Sequence, residues 1–273
     1  DIVEHFLSAR THDFLLFFTD SGKVFRVPIY EIPEGTRVAR GRGLLNFLEI
    51  PPQDKVLSLV ALGKKDKETG IHYLVMVTKN GIIKKTVLEE FDNVRKSGLI
   101  AITLKKGDSL KKARKSAKED ELILVTKKGQ SIRFQGREIR EMGRQAAGLK
   151  GMRLKRNDEV VGMEIIPTLK TKGKEYILVL SENGFGKRTL LSEYRVQKKG
   201  GSGIKTAKVI PKTGDLIALS LLNGGEEDLI VISQRGQVIR IKISSIPLLG
   251  RSTQGVKIMK LEEGDKVASA TCI

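Results

Sequence analysis

The sequence predicts an all-β chain built from five copies of one blade-like unit of about four strands. Three observations predict this fold class. A strand-turn-strand pattern occurs five times, its turn glycines recur every 48 to 59 residues, and a second glycine follows each of them after 17 to 21 residues. A period of this length is typical of propeller-like repeats and not of helical solenoids.

Each repeat begins with a hairpin. The five copies read LLFFTDSGKVFR, LVMVTKNGIIKK, LILVTKKGQSIR, ILVLSENGFGKR and LIVISQRGQVIR. Four or five apolar residues, many of them β-branched, predict a strand that is buried on both faces. Glycine supplies the positive φ of the tight turn. The turn glycines are Gly22, Gly81, Gly129, Gly184 and Gly236.

Two positions around each turn glycine are constant. Thr or Ser stands three residues before it, and Lys or Arg stands four residues after it. We call the latter the second-strand cations: Arg26, Lys85, Arg133, Arg188 and Arg240. Because side chains alternate along a strand, each of these cations lies on a fixed face. They either contact an anionic partner or protect a strand edge from aggregation, and the sequence leaves both readings open.

The second glycine of each repeat opens another predicted strand. These glycines are Gly43, Gly98, Gly148, Gly203 and Gly255, and the segments read GLLNFLEI, GLIAITL, GLKGMRL, GIKTAKV and GVKIMKL. A polar turn follows at Asp54, Asp108, Asp158, Asp215 or Asp265, and then a last strand. Residues 109–118, SLKKARKSAK, are the poorest copy of that strand and also allow a helical turn.

The repeats therefore span residues 13–62, 71–118, 119–166, 174–222 and 227–273. The segments between them are polar and of loop length, so they join blades and do not separate domains. We predict one domain over residues 1–273, in which residues 1–12 form a strand that completes a neighbouring blade.

Positive charge accumulates in the long connection between the second and third strands of each repeat. We call these connections basic loops 1 to 5: residues 32–43, 91–98, 139–148, 194–203 and 246–255. In a ring of blades their cations would form a belt, which a random solvated surface does not require. The stretch VQKKGGSGIKTA, which includes much of loop 4, combines lysines with a Gly-Gly pair and is predicted to face phosphates.

The candidate phosphate-contacting residues in the basic loops are Arg37, Arg40, Arg42, Arg95, Lys96, Arg140, Arg144, Arg195, Gln197, Lys198, Lys199, Gly200, Gly201 and Arg251. Lys85, Arg133, Arg188 and Arg240 form a second set of candidates.

The overall charge predicts a polyanionic partner. Fifty Lys and Arg against 32 Asp and Glu give a formal net charge of +18 and a pI near 9.9. Nucleic acid is favoured, although an anionic membrane surface, an acidic protein or a lysine-rich thermophile surface also fits. Aromatic residues make up 5% of the chain and Trp is absent, which argues against stacking of single-stranded bases.

The motifs of several enzyme classes are missing from the sequence. It has no GxxxxGK[ST] loop, HExxH, CxxC pair or GxSxG elbow, and its three histidines are scattered. We therefore expect no catalysis, metal or cofactor in this chain by itself. The lone Cys272 and the lack of an apolar run of about 18 residues predict a soluble cytoplasmic protein, and the first residue, Asp1, suggests a fragment.

Four stretches carry a resemblance to a known family: THDFLLFFTDSGKVFRV, TKNGIIKKTVLEEF, SENGFGKRTLLSEYRVQKKGGSG and GRSTQGVKIMKL. With them the chain resembles, over essentially its whole length, the C-terminal domain of the A subunit of bacterial type IIA topoisomerases, which are DNA gyrase and topoisomerase IV. The resemblance implies a β-pinwheel of four-stranded blades that exchange strands, with a basic outer rim that bends duplex DNA.

Further expectations follow from the same resemblance. The partners are duplex DNA, the ATPase B subunit, and the remainder of the A subunit. The catalytic tyrosine and the sites for ATP and Mg²⁺ lie outside this chain. The isolated domain is expected to be monomeric, cytoplasmic, associated with the nucleoid and without a membrane contact.

One departure from the gyrase pattern concerns the basic glycine-rich box, QRRGGKG, that gyrases carry in their first blade. The nearest match here is QKKGGSG, residues 197–203, and it lies in the fourth of the five repeats. Either a box-bearing blade precedes this chain, or the protein lacks a proper box and favours relaxation and decatenation. A propeller that scaffolds other proteins is the alternative function from a different class.

Overall fold

A computed structural model describes residues 5, 7, 9–35, 41, 43–168 and 174–273. Within these ranges the regular structure consists of nineteen β-strands, one five-residue α-helix (α1, Lys64–Glu68) and short 3₁₀ turns. The predicted all-β class is confirmed.

The strands follow the predicted repeats. The first two repeats contribute β1 (Phe14–Thr19), β2 (Lys23–Pro28), β3 (Val56–Leu62), β4 (Ile71–Thr78), β5 (Ile82–Val87), β6 (Leu99–Ile100) and β7 (Leu110–Ala117). The last three contribute β8 (Glu121–Thr126), β9 (Gln130–Gln135), β10 (Leu149–Lys150), β11 (Val160–Ile166), β12 (Tyr176–Ser181), β13 (Phe185–Leu190), β14 (Ile204–Lys205), β15 (Leu216–Leu222), β16 (Asp228–Ser233), β17 (Val238–Lys242), β18 (Val256–Lys257) and β19 (Val267–Cys272).

Neighbouring repeats exchange strands. The sheet orders are β3-β1-β2-β6, β7-β4-β5-β10, β11-β8-β9-β14 and β15-β12-β13-β18, and the described strands of the fifth sheet are ordered β17-β16-β19. The fourth strand of each four-stranded sheet is the short strand of the following repeat. For example, Ile204 in β14 lies opposite Ser131 in β9. The strand exchange that the resemblance implied is present in these four sheets.

The chain forms two compact units. Among the described residues, the amino-terminal unit comprises residues 7 to 118 and 139 to 149, and the carboxy-terminal unit comprises residues 119 to 138 and 150 to 273 together with His5. The assignment of the whole chain to one domain stays a prediction.

Within each unit the apolar faces of successive sheets pack on one another. In the amino-terminal unit, Leu16 and Phe18 of β1 share a buried cluster with Leu74 and Met76 of β4 and with Phe91, whose ring meets Phe18 edge-on at 6.2 Å. In the carboxy-terminal unit, β12 packs on β16 in the same way. Full burial of each such side chain stabilises the fold by about 1.5–3 kcal/mol, so this packing holds successive sheets together.

Hydrogen bonds hold the hairpin turns. They explain why Thr or Ser stands three residues before the turn glycine and why the polar turn contains Asp. The hydroxyl of Thr78 donates to Asp108 at 2.7 Å, and the same carboxylate accepts from the backbone N–H of Asn80 at 3.0 Å. Thr126 and Asp158 repeat the contact at 2.8 Å. Each turn glycine has φ between 76° and 85°, as predicted. The polar turn of each of these two repeats thus ties its last strand to its first hairpin.

One local prediction is confirmed and another was wrong. Residues 110–117 form strand β7, as the repeat predicted, and not the helical turn that the sequence also allowed. Leu110, Ala113 and Ser116 are its buried residues, a spacing of three that imitates a helix because bulges at both ends of the pairing with β4 shift the phase. In the first repeat, Gly43 has φ −60° and opens the 3₁₀ turn Leu44–Asn46, where a strand was predicted.

Candidate nucleic-acid interface

Basic loops 2 to 5 have a common construction. Each follows a 3₁₀ turn at the end of the hairpin, and each ends at a glycine with φ between 75° and 87° that opens the exchanged strand. The turns are Leu88–Phe91, Gly136–Glu138, Leu191–Glu193 and Ile243–Ser245. Both ends of each loop are therefore fixed to sheets, and the loop presents its cations from a defined position.

Half of basic loop 1, residues 36–40 and 42, lies outside the described residues. Three of the predicted contact residues, Arg37, Arg40 and Arg42, lie there, and they stay predictions.

Basic loop 2 exposes both of its predicted cations, Arg95 and Lys96. The ammonium of Lys96 lies 2.8 Å from the carboxylate of Glu31, and the two side chains are 58% and 37% exposed. An ion pair as exposed as this contributes about 0–1 kcal/mol, so a phosphate can compete for the lysine.

Basic loop 3 places its two arginines differently. Arg140 is exposed, whereas Arg144 is half-buried. The guanidinium of Arg144 donates to the carbonyl of Ile100 at 3.3 Å and lies 3.6 Å from the carboxylate of Glu90. Arg140 is therefore accessible, and part of the hydrogen-bonding capacity of Arg144 is used within the protein.

Basic loop 4 presents side chains and turns its glycines inward. Arg195 and Lys198 are exposed, and Gln197, Lys199, Gly200 and Gly201 are half-buried. The backbone N–H of Lys199 donates to Glu138 at 3.1 Å, and that of Gly200 donates to the carbonyl of Gly151 at 2.7 Å. The N–H of Gly200 is therefore occupied within the protein, and the exposed donors next to it include the side chain of Lys198.

Basic loop 5 repeats the geometry of loop 4. The backbone N–H of Arg251 donates to Glu193 at 3.2 Å, and its guanidinium donates to the carbonyl of Lys205 at 2.9 Å. Arg251, Lys199 and Arg144 all stand four residues before the second glycine of their repeat. The loops of the last three repeats thus carry a cation at one equivalent, half-buried position.

Some donors in these loops lack partners. The Nε atoms of Arg144 and Arg251 and the amide nitrogen of Gln197 are buried and have no hydrogen-bond partner within the described part of the chain. The Nε atom of Arg144 faces the carboxylate of Glu90 at 3.6 Å. Because all three nitrogens are buried, a ligand at the surface does not reach them, and the accessible donors of these loops are the exposed side chains.

The second-strand cations have a role that sequence reasoning did not consider. Arg133 donates to Glu121 at 2.7 Å and to the carbonyls of Leu191 and Tyr194 at 3.1 Å each. Its Nη1 donor thus holds the 3₁₀ turn of the following repeat.

Arg188 does the same one repeat later, donating to the carbonyls of Ile246 at 2.8 Å and Ser244 at 3.1 Å. In the amino-terminal unit, Arg26 donates to the carbonyl of Asp92 and stacks over Phe14, with 3.5 Å between the guanidinium carbon and the ring centroid.

The remaining second-strand cations differ. Lys85 is 4% exposed and its ammonium lies 4.8 Å from the ring centroid of Tyr73, whose hydroxyl donates to Glu141. That hydrogen bond, together with burial and the negative charges of Glu141 and Glu89, raises the pKa of Tyr73 to about 12. Arg240 pairs with Asp228 at 2.5 Å but is 66% exposed. Of the second candidate set, Arg240 is the most accessible, and the contacts of Lys85, Arg133 and Arg188 favour structural roles.

Replacing Arg188 by Ala is expected to lower the free energy of unfolding by about 2–3 kcal/mol, because two backbone carbonyls lose a charged donor. Chemical denaturation measures the change. Arg240→Ala is the matched control, since its guanidinium is exposed and contacts only Asp228 among the described residues. Equal stability losses in the two variants would refute the assigned role of Arg188.

Sequence reasoning missed a further set of cations that follow the loops. Two and five residues after the second glycine, the last three repeats each carry Lys or Arg, and all six side chains are exposed. We call them the post-loop cations: Lys150, Arg153, Lys205, Lys208, Lys257 and Lys260. The first two repeats carry Leu45 and Leu48, and Ile100 and Thr103, at these positions. These cations could have been predicted from the sequence, because their offset from the second glycine is constant.

Metal-binding clusters and membrane-spanning helices are both absent from the described residues. Within those ranges, no group of three or more His, Cys, Asp and Glu side chains could hold a metal ion. No helix in the same ranges is long and apolar enough to cross a bilayer.

Strand-exchanging β-blades with cation-bearing loops define a propeller-type repeat domain. The chain belongs to the family described as DNA gyrase C-terminal domain, beta-propeller, which matches residues 13–61, 72–116, 120–167, 175–223 and 227–273. These five segments coincide with the five repeats to within two residues at every boundary. The family that the sequence resembled is confirmed.

Three similar proteins are informative. The DNA gyrase A subunit of Staphylococcus epidermidis is 37% identical over 269 residues, which cover 98% of this chain and 30% of that protein. A crystal structure of the C-terminal domain of DNA topoisomerase IV matches with a TM-score of 0.83 and 26% identity, over 96% of this chain and 80% of that one. A structure of the DNA gyrase A C-terminal domain matches with a TM-score of 0.82 and 24% identity, over 97% and 83%, and shows the fold alone. The chain spans about a third of the length of the Staphylococcus epidermidis protein.

Proposed function

We propose that this chain binds duplex DNA through phosphate contacts from its basic loops and post-loop cations, and that it bends or wraps the duplex. The observation that supports this most strongly is the exposure of eight cations in the carboxy-terminal unit: the six post-loop cations, Arg195 and Lys198. The offsets of the six post-loop cations recur with the repeat, so the spacing of these cations follows the spacing of the blades.

The eight cations are available to a ligand. None of them forms an ion pair with a carboxylate of the described residues, in contrast to Lys127, Lys128, Arg235 and Lys266, which all do. An exposed cation that pairs with a phosphate releases a counterion from the DNA, and this release supplies affinity that falls as salt rises. The paired lysines would first have to lose their carboxylate partners.

The contacts favour recognition without sequence preference. Phosphate contacts position a duplex but carry no base information. The described ranges contain no recognition helix that could read the major groove, because their only α-helix is five residues long. We therefore expect similar affinity for unrelated sequences, modified only by how easily each one bends.

Bending the duplex is energetically feasible. A bend over a few tens of base pairs costs on the order of 1–10 kcal/mol. Charge-assisted contacts to phosphates from several successive repeats can offset that cost. Because the cost rises with the bend and the number of contacts rises with it, the final path depends on how many repeats take part.

In the complete enzyme the chain would present bent DNA to the strand-passing core of a type IIA topoisomerase. Its partners would be the ATPase B subunit together with the rest of the A subunit, in the bacterial cytoplasm and on the nucleoid, and the isolated domain would be a monomer. The catalytic tyrosine and the binding of ATP and Mg²⁺ belong to those other parts. A box-bearing blade before the first repeat would direct the enzyme to supercoiling, and its lack to relaxation and decatenation.

The test is a salt series of equilibrium binding to a duplex with no selected sequence. Between about 50 and 200 mM salt, affinity is expected to fall by about 10³-fold or more if six or more phosphates are neutralised. Binding that does not change with salt would refute the phosphate-contact mechanism. A scaffold for acidic proteins would bind no DNA in the same series.

Changing Lys198 and Lys199 together to Ala is expected to weaken DNA binding about tenfold, from about 0.5–1 kcal/mol per lost exposed ion pair. Stability should change by less than about 1 kcal/mol, because the loop is held by backbone bonds that the substitution leaves in place. Fluorescence anisotropy and chemical denaturation measure the two quantities.

The control for this double variant is Lys127 and Lys128 changed to Ala. That pair also consists of adjacent lysines in the carboxy-terminal unit, but both ammonium groups lie within 3.7 Å of Asp215. The same loss of DNA affinity in both double variants would show that loop 4 makes no specific contact and that only net charge matters.

A further inference from the structure

Two lysines are buried in the interior of the molecule without a carboxylate at ion-pair distance among the described residues. Lys84 is 0% and Lys187 is 1% exposed. Both stand three residues after the turn glycine of their hairpin, where the other repeats have Phe25, Ile132 and Ile239. A buried ammonium is costly unless its three N–H donors are all satisfied, so the contacts of these two lysines need an explanation.

The ammonium of Lys187 is surrounded by oxygens of basic loop 5. It lies 2.7 Å from the carbonyl oxygens of Gly250 and Arg251 and 3.1 Å from both the carbonyl and the hydroxyl oxygen of Thr253. These four acceptors come from one short stretch of the loop, residues 250 to 253. The buried ammonium of Lys187 therefore holds residues 250 to 253 of the loop in place through hydrogen bonds.

Lys84 has an equivalent position relative to basic loop 3. Its ammonium donates to the carbonyl of Arg144 and, at 2.6 Å, to the carbonyl of Ala101. Arg144 and Arg251 occupy the same place in their repeats, four residues before the second glycine. In both loops, a buried lysine of the preceding repeat thus binds the backbone carbonyl of the loop arginine.

The inward carbonyls determine where the following N–H groups point. In a trans peptide the carbonyl oxygen and the next N–H point in opposite directions. The N–H groups of Ser252 and Gln145 are therefore directed away from the lysines, and both residues are exposed. Backbone N–H groups that face outward from a turn are good donors to anions.

We propose that Lys84 and Lys187 are positioning residues that hold basic loops 3 and 5 in the shape that binds DNA phosphates. The proposal rests on the proposed function, because the ligand is the phosphate of duplex DNA. By holding the carbonyls inside, the lysines keep these acceptors from the negatively charged ligand and leave for it the outward N–H groups and those guanidinium donors that are not bonded within the protein.

Basic loop 4 shows how the same loop is built without a lysine. Ile132 stands in the lysine position, and a Cβ placed on Gly201 would lie 3.5 Å from its terminal methyl group. Gly201 occupies the position of Thr253 in loop 5 and of Ala146 in loop 3. In loop 4 the packing of this glycine near Ile132 takes the place of the hydrogen bonds from an ammonium. Ile132 therefore provides a matched control position.

The lysines also give the loops a pH dependence. Burial lowers the pKa of Lys84 and of Lys187 to about 8, with Arg144 or Arg251 adding to the effect and Glu90 or Glu193 opposing it. Above that pH the neutral amine has two N–H donors, so Lys187 can no longer satisfy its four oxygens and Lys84 loses the charge that strengthens its two hydrogen bonds. We expect the DNA affinity to fall as the pH rises from about 7 to 9.

The sign of the pH dependence distinguishes a loss of loop structure from a loss of folding stability. A lysine whose pKa is lower in the folded state than in the unfolded state binds fewer protons when folded in the window between the two values. Stability from these lysines therefore rises between about pH 8 and 10.5, where the unfolded chain holds more protons. A falling affinity over the same range cannot be caused by their effect on stability.

The experiment compares Lys187→Met with Ile132→Met in the complete 273-residue chain. The probe is a duplex of about 100 base pairs, shorter than the persistence length of about 150 base pairs. Lys187→Met is expected to bind about tenfold more weakly near pH 7 and to lose part of the pH dependence, whereas Ile132→Met should retain both the affinity and the pH profile of the unchanged chain.

Two results would overturn the proposal. One is a folded Lys187→Met variant with the affinity and pH profile of the unchanged chain. The other needs no variant: salt-sensitive binding by the unchanged chain that stays constant between about pH 7 and 9. If the unchanged chain does not bind the duplex in a salt-sensitive way, the proposed function fails, and that outcome is distinct because the pH series then has no binding to measure.

Discussion

Replacing Lys205, Lys208, Lys257 and Lys260 together by Gln is expected to weaken duplex DNA binding on the order of a hundredfold, from about 0.5–1 kcal/mol per exposed ion pair. The slope of log affinity against log salt should become less steep by about 4, because each lost phosphate contact removes about 0.9 from it. Both quantities come from one salt series of fluorescence anisotropy. Since the four side chains are exposed, the stability of the fold should not change.

The control is a second quadruple variant that has the same net charge but carries its four substitutions at other positions. Lys127, Lys128, Arg235 and Lys266 lie in the same unit, and each has a carboxylate oxygen within 3.7 Å. Replacing these four by Gln should leave most of the affinity and the slope unchanged. If the two quadruple variants lose the same affinity, the DNA responds to total charge and the post-loop cations have no special place.

Gly203→Ala is expected to be one of the most destabilising single substitutions in the carboxy-terminal unit, at about 4 kcal/mol or more. A Cβ on Gly203 would lie 2.2 Å from the carbonyl oxygen of Ser131, and the residue has φ +75°. Ser131 pairs with Ile204 in the exchanged strand β14. The substitution therefore separates β14 from β9, and chemical denaturation measures the loss.

Gly200→Ala separates the two causes of this effect. Gly200 has φ +80°, so the backbone penalty of about 1–2 kcal/mol is common to both variants. The nearest atom to a Cβ on Gly200 is a backbone oxygen at 3.5 Å, an ordinary contact. Gly203→Ala should be less stable than Gly200→Ala by at least about 2 kcal/mol. Equal losses would show that the close approach of the two strands does not limit this position.

The sequence alone predicted the fold class, the repeat boundaries and the family because the hairpin signature is local. A buried strand, a glycine turn and a returning strand lie within about twelve residues, and each has a physical requirement that restricts the residue types. Strand β7 was harder to predict, since two bulges give it a burial spacing of three. A bulge depends on the partner strand, which periodicity within one segment does not report.

The candidate site was predicted less completely for a related reason. Exposed loop cations such as Arg195 and Lys198 could be chosen from the loop composition, and the structure exposes them. Arg133 and Arg188 were chosen on the same chemical ground, yet their partners are carbonyls 58 residues further along the chain. A cation that binds a phosphate and a cation that binds a backbone carbonyl have the same sequence signature. Only the fold distinguishes them.

The buried lysines illustrate the same limit. Lys84 and Lys187 stand in hairpin strands next to the second-strand cations Lys85 and Arg188. Alternation places neighbouring side chains on opposite faces, but it does not say which face is covered. Here the lysine face is fully buried, and the loop carbonyls that satisfy it belong to the next repeat.

The linking-number change of a nicked circular plasmid tests the central claim most directly. The plasmid is ligated with the chain bound, the protein is removed, and the topoisomers are separated by electrophoresis. If the chain wraps duplex DNA with a defined hand, the distribution shifts in one direction as the amount of bound chain increases. A distribution at saturating chain that is identical to that of plasmid ligated alone would contradict wrapping with a defined hand and would leave only simple bending.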